Sequence, residues 1–246
     1  MSIRSNVLAN SLGQLYAVLI GIVLVPLYVR YMGIEAYGLI GFYSMLQGWF
    51  MLLDMGLTPT IGREAARHAG GAVGALDLRR MLRTFECIFA ATALTGALAL
   101  AVAAGAIANH WLRLQQLDPS EVRRALTLMA AIVALRWVCG LYRGVITGFE
   151  RIVWLSGLNV SVATLRFVIV IPFLIHVGAT PTHYFVYQLA VTVVELAILL
   201  VMTYRLLPPL PNPERVSWAW HSVRGVMRFA LSAAFTSAVW VLVTQS

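Results

Sequence analysis

Apolar residues dominate this chain in long runs separated by short polar links. The runs cover about Val7–Val29, Tyr37–Ile61, Phe85–Asn109, Pro119–Phe149, Val153–Val177 and Tyr184–Tyr204. Each is long enough for an α-helix to cross the bilayer hydrocarbon, which takes about 20 residues. A membrane β-barrel needs alternating segments of about ten residues, and these runs are longer and continuous. The pattern predicts an all-α, multi-pass transmembrane helix bundle with six full spans. A seventh run starts near Phe229 and has only 15 residues to Val243, so it reads as a truncated span. The organisation expected is a six-helix lobe over residues 1–204, a Pro-rich loop with an interfacial helix over 205–228, and the start of a second lobe over 229–246.

The polar residues inside the runs recur at helical spacing. Arg136, Gly140, Arg143, Thr147 and Glu150 fall at steps of four, three, four and three, which puts them on one face of a helix. An arginine at the bilayer centre costs about 2.5–3.5 kcal/mol on insertion scales, so this face must meet other helices or water. The other spans bring stripes of their own. The first has Asn6, Asn10, Gln14, Ala17 and Gly21, and the second has Ser44, Gln47, Met51, Asp54 and Thr58. The fifth has Ser156, Asn159, Ala163 and Arg166, and the sixth has Tyr184, Gln188, Thr192 and Glu195. Two readings stay open. Uncharged polar residues join membrane helices by hydrogen bonds of about 0.6 kcal/mol each, and the charged ones then form structural ion pairs such as Arg166 with Glu195. Alternatively the stripes line a hydrated, net-positive cavity. In it Arg136, Arg143 and Arg166 bind an anionic substrate, and Asn10, Gln14, Gln47, Asn159 and Gln188 supply polar lining. Asp54 and Glu195 serve ion coupling or ion pairing. Guanidinium groups suit such a substrate because they bind phosphate bidentately.

Breaks between the runs are marked by turn and cap residues. Pro26 should kink or end the first span, Gly33 should cap the helix before the second, and Pro59 should bend the exit of the second. Gly62–Thr84 reads as a basic loop broken at Gly70 and Gly71. Asp118-Pro119-Ser120-Glu121 combines an N-cap, a proline at the first helical position and a glutamate at the third, so a helix should start near Pro119. Glu150-Arg151 marks a tight turn, and Pro172 should kink the fifth span.

Composition agrees with this pattern. The 246 residues are 60% hydrophobic and 11% charged, with a mean hydropathy of +0.82, where soluble domains carry about 25% charge. The net charge of +8 comes from arginine alone, without a lysine, and is gathered between the apolar runs, so it is a topology signal rather than a nucleic-acid footprint. With the N-terminus inside, twelve arginines fall on the inner side and four on the outer, a clear positive-inside bias. The first run is long and lacks a small-residue cleavage site, so it reads as an uncleaved span. Cys87 and Cys139 both lie in apolar runs, and the five histidines do not cluster. No zinc-protease, serine-hydrolase, Walker A or Cys/His spacing is present. Neither a catalytic residue, a metal nor a cofactor is expected, and the chain reads as a non-enzyme.

The run from Ser5 to Arg67 carries an Asn-containing first helix with a proline near its end. It also carries a Gly-x-x-x-Tyr-Gly link (Gly33–Gly38) and Asp-x-Gly-Leu at Asp54–Leu57 followed by Arg63. Later, YRGVITGFERIVWLSGLNV places a Gly-x-x-x-Gly-x-x-Arg turn between spans four and five, followed by an asparagine. In order and spacing these features resemble the polysaccharide (O-antigen type) flippases of the multidrug/oligosaccharidyl-lipid/polysaccharide exporter superfamily, specifically their N-terminal half. The resemblance implies a transporter of the bacterial inner membrane with a cytoplasmic N-terminus. It would flip polyprenyl-pyrophosphate-linked oligosaccharide to the outer leaflet by alternating access between two lobes, its cavity arginines serving the anionic substrate. It further implies membrane lipid as the surroundings, glycosyltransferases and a polymerase of the same pathway as partners, and a second lobe, or a homodimer in its place.

Two other readings compete. A cation-coupled multidrug exporter of the same superfamily would favour an acidic cavity over an arginine-rich one. An integral membrane enzyme of envelope synthesis would need a partnered acid or histidine at a membrane face, and Glu150 and His183 have no such partners in sequence.

Overall fold

The computed structural model describes residues 3–52, 54, 56–108 and 117–208. These residues are helical and include no strand. Nine α-helices follow one another: α1 (Ile3–Val23), α2 (Val25–Met32), α3 (Ile34–Leu52), α4 (Leu57–Ala69), α5 (Ala75–Ala106), α6 (Pro119–Gly148), α7 (Ile152–Ala163), α8 (Val170–Val177) and α9 (Pro181–Leu206). A π-helical segment, Thr164–Ile169, joins α7 to α8. Five stretches are long and apolar enough to cross a membrane: Ser11–Met32, Ala75–Ala106, Pro119–Gly148, Ile152–Val177 and Pro181–Leu206. α3 is not among the five. The expected seventh span and the interfacial helix lie outside the described residues.

Several expected boundaries move, each for a local reason. The second span does not run on to Ile61; α3 stops at Leu52 and α4 begins at Leu57. Gly56, in the left-handed region at φ 76°, turns the chain here. The Asp54 carboxylate accepts the Thr58 hydroxyl at 2.7 Å and the Thr58 N–H at 3.3 Å, which satisfies an orphan donor at the start of α4. Pro59 therefore sits in the first turn of a new helix, where its missing N–H costs little. The expected basic loop Gly62–Thr84 is instead mostly helix, because Glu64 pairs with Arg63 at 3.1 Å and with Arg67, one turn on, at 2.8 Å. Only residues 70–74 connect α4 to α5, and Gly71 at φ 79° closes α4 with its N–H on His68 O. α5 accordingly begins at Ala75, ahead of the expected Phe85.

Other boundaries follow the sequence. α1 gives way to α2 around Leu24, with Pro26 in the first turn of α2, and the Gly33 N–H caps α2 on Val29 O at 3.0 Å. α6 starts at Pro119, where the Asp118 carboxylate accepts the Ser120 hydroxyl at 2.7 Å and its N–H at 3.1 Å. These bonds hold the exposed Asp118 carboxyl below its ordinary range. α6 ends in a tight turn in which Glu150 takes a left-handed conformation (φ 58°), a place usually held by glycine.

By internal contacts the chain forms two compact units. The first comprises Met1–Gln47, Ala93–Arg136 and Ile152–Glu195, and the second Gly48–Thr92, Trp137–Arg151 and Leu196–Ser246. In the first, α1 lies along α7 and the π-helical segment. A Cβ on Gly13 would meet Val160 Cγ2 at 3.4 Å, so this contact uses the small residue to bring the helices close. The buried rings of Tyr28, Tyr43, Tyr184 and Phe185 pack edge-on, with centroids 5.0–6.0 Å apart.

In the second unit α4 crosses α6 on glycines. A Cβ on Gly144 would lie 2.7 Å from Thr58 O, one on Gly62 would lie 2.9 Å from Gly144 O, and one on Gly148 would run into Gly62 O. Gly140, Gly144 and Gly148 thus form the small-residue face that lets two helix backbones touch. Trp137 stacks on Phe89 at 5.1 Å and meets Phe50 edge-on at 6.3 Å. Phe85, Ile61, Leu141 and Ile146 complete that unit's core. On the outside, Leu19, Ile22, Leu98, Val102 and Val194 are exposed, which suits helices facing lipid rather than water.

Candidate ionic site in the membrane helices

The most deeply buried charges of the first unit are Arg166, 5% exposed, and Glu195, 2% exposed. Arg166 stands on the π-helical segment and Glu195 on α9. Arg166 Nη2 donates to Glu195 Oε2 at 2.8 Å and to Thr192 Oγ1 at 2.8 Å, while Nη1 donates to Gln188 Oε1 at 3.3 Å. Arg166 Nε has no hydrogen-bond partner among the described residues. An isolated charge at this depth would be costly, and the opposite charge with its satisfied hydrogen bonds offsets that cost. The helical stripe on α9 explains the geometry: residues 188, 192 and 195 are spaced one turn apart and meet one guanidinium.

The π-helical backbone accounts for the rest. Its carbonyls bond five residues on rather than four, which loosens the ladder and leaves acceptors in need of donors. Pro172 adds to this, because it has no N–H to return to residue 167 or 168. Three successive carbonyls are met by side chains from other helices. Leu165 O accepts Tyr187 OH at 3.0 Å, Arg166 O accepts Gln188 Nε2 at 3.0 Å, and Phe167 O accepts Tyr28 OH at 2.8 Å. One residue earlier, Thr164 and Tyr16 share a hydrogen bond of 2.8 Å. Pro172, where the sequence predicts a kink, lies in α8 just after this change of helix type.

The other candidate residues fall as follows. Gln188 belongs to the Arg166 cluster. Arg136 is half-buried on α6 in the first unit, and Arg143 is half-buried on α6 in the second. Asn159 on α7 and Gln47 on α3 are half-buried, and Gln14 on α1 is exposed. The side chain of Asn10 lies outside the described residues. Asp54 caps α4 in the second unit, as described above. The structure therefore brings together Arg166, Gln188 and Glu195 from the candidate set, and places Asp54 and Arg143 in the other unit.

Sequence reasoning missed a half-buried acid, Glu86 on α5. It accepts Tyr204 OH at 2.8 Å and Tyr142 OH at 3.1 Å, with Arg83 at 3.4 Å. Its partners come from helices 56 and 118 residues away in sequence, so no local spacing announces it. Glu64, taken for a loop residue, is 4% exposed; its i,i+3 spacing to Arg67 was the available signal. No group of three or more His, Cys, Asp or Glu fit to hold a metal occurs among the described residues. His68 and His183 bind nearby backbone carbonyls, Val73 O at 2.7 Å and Gly178 O at 3.2 Å, which makes them local turn closures.

A family model described as polysaccharide biosynthesis protein matches residues 3–246. No curated protein matches the chain, and no solved structure does.

Proposed function

The chain belongs to the polysaccharide biosynthesis protein family, and from that premise we propose that it is a transporter which flips a polyprenyl-pyrophosphate-linked oligosaccharide from the cytoplasmic to the outer leaflet of the bacterial inner membrane. The observation that carries this reading is the family match over residues 3–246 on a chain whose described residues include five membrane-length apolar helices. It makes the chain a polysaccharide-related membrane protein; the flipping of a lipid-linked substrate is our reading of it. The substrate is a pyrophosphate diester with a long apolar tail and a polar glycan. Its anionic group needs cations that are sheltered from bulk water yet within reach of the path. Arg136 and Arg143, half-buried on one stripe of α6, have that character. Arg166 contributes by exchange: its guanidinium is already matched by Glu195, so it can take a pyrophosphate oxygen only by releasing that carboxylate. The N-terminus is cytoplasmic in this scheme, and glycosyltransferases and a polymerase of the same pathway act before and after the flip.

The test is complementation of a strain lacking the gene. Arg136→Ala, Arg143→Ala and the paired variant Arg166→Met/Glu195→Leu, which leaves no stranded carboxylate, should each lower surface polysaccharide at unchanged protein level in the membrane, with lipid-linked oligosaccharide accumulating in the inner leaflet. Normal polysaccharide in all three variants would remove the arginines from the substrate path. Drug resistance conferred by overexpression, with polysaccharide unaffected by deletion, would replace the reading with a drug exporter.

A further inference from the structure

A cavity lies apart from the Arg166–Glu195 cluster. It holds about 770 Å³ and lies in the first unit, between the C-terminal end of α5 and the N-terminal ends of α6 and α9. Because each of these helices is of membrane length and the cavity sits at one end of all three, it lies at the level of a membrane surface. Arg123 and Arg124 line it, and no acid does. Both residues are exposed, and Arg124 lies close enough to the exposed Asp118 to help hold that carboxyl ionised, without a salt bridge between them. Thr182 also lines the cavity, and its hydroxyl oxygen is buried without a partner. The wall beyond is apolar, formed in part by Leu128 and by Val186, which is exposed on the outside of α9.

We infer that this cavity binds the phosphate headgroup of an anionic phospholipid. Two adjacent guanidinium forks and an unmet hydroxyl suit a phosphodiester, which offers several acceptors and a negative charge. The apolar wall that continues to the lipid-facing side of α9 suits an acyl chain leaving the same headgroup. Basic pockets between membrane helices near a surface bind acidic headgroups for these reasons. The ligand is a phospholipid of the surrounding bilayer and not the transported glycan lipid, so this site does not depend on the transport reading.

The test is native mass spectrometry of the full chain in detergent, titrated with phosphatidylglycerol and with phosphatidylcholine. The unaltered protein should retain phosphatidylglycerol preferentially. The double variant Arg123→Gln/Arg124→Gln should lose about thirtyfold of that preference, as two cations near a membrane surface provide. A control pair elsewhere, Arg151→Gln/Arg205→Gln, should keep it, and Thr182→Val should weaken it by a smaller factor. Equal preference in the double variant would overturn the proposal, and so would an equal loss in the control pair. Displacement of the lipid by inorganic phosphate alone would also overturn it, since the tail would then add nothing. Melting curves matched to the unaltered protein show that the double variant is folded.

Discussion

Glu195 of the first unit and the half-buried Glu86 of the second are held in different ways. In the first, Glu195 is almost fully covered and meets an arginine that is itself covered. In the second, the Glu86 side chain keeps 15% of its surface exposed and is held by two tyrosine hydroxyls, with the cation Arg83 61% exposed beside it. The difference follows from burial. Far from water a carboxylate needs a full opposite charge, because neutral donors do not repay the loss of hydration. With some water left, phenol hydroxyls suffice and the nearby cation is screened. The units also join their helices in different ways. The first unit relies on polar bonds to a loosened π-helical backbone, the second on glycine faces that bring backbones into contact.

The strongest way to break this comparison is at Arg166. Arg166→Met should destabilise the protein by about 3–5 kcal/mol, because it strands the Glu195 carboxylate. The double variant Arg166→Met/Glu195→Leu should recover most of that loss, since an apolar pair needs no compensation. Thermal or denaturant unfolding of the detergent-purified protein reads both, and equal losses in the single and double variants would show that the ion pair is not what the fold requires. A smaller effect is expected in the second unit from Gly148→Ala, whose added methyl runs into Gly62 O. It should cost about 1–3 kcal/mol through overpacking, and a neutral result would mean that α4 can move away freely.

Next comes Tyr28→Phe, which removes the donor to Phe167 O and leaves an acceptor unmet, for about 1–3 kcal/mol if water does not replace it. Faster amide exchange confined to residues 167–173 would tie the loss to the π-helical segment. The smallest effect is expected from Tyr204→Phe at Glu86, about 0.5–1.5 kcal/mol, because Tyr142 still donates. Added salt should weaken the Arg83–Glu86 pair and leave Arg166–Glu195 unchanged. If Tyr204→Phe costs as much as Arg166→Met, burial is not the variable that separates the two acids.

Much of the helix frame was legible in the chain. Pro119 after Asp118, Gly33 after α2, the turn at Glu150 and the start of the fifth span near Ile152 were readable because caps and turns are local chemistry. The pairing of Arg166 with Glu195 stood among the readings open in sequence, since both lie on helical stripes of neighbouring spans. The end of α3 at Leu52 and the start of a new helix at Leu57 were not expected. Hydropathy sees an unbroken apolar run there, whereas Gly56 and the Asp54–Thr58 bonds act through backbone conformation. The helical character of residues 62–84 was hidden by their charge, which reads as a loop until Glu64 is seen to sit between two arginines.

By itself the sequence determined an all-helical membrane protein, the places where several helices begin and end, and the residues whose charge could not be left facing lipid. These follow from side-chain hydropathy, cap chemistry and spacing, all of which act over a few residues. Tertiary structure alone decided which acid meets which donor, that the carbonyls of residues 165–167 are held by Tyr187, Gln188 and Tyr28, and that Arg123 and Arg124 share a cavity with Thr182. Those partners are distant in sequence, and in a medium without water to satisfy polar groups the choice among them is made only when the helices pack.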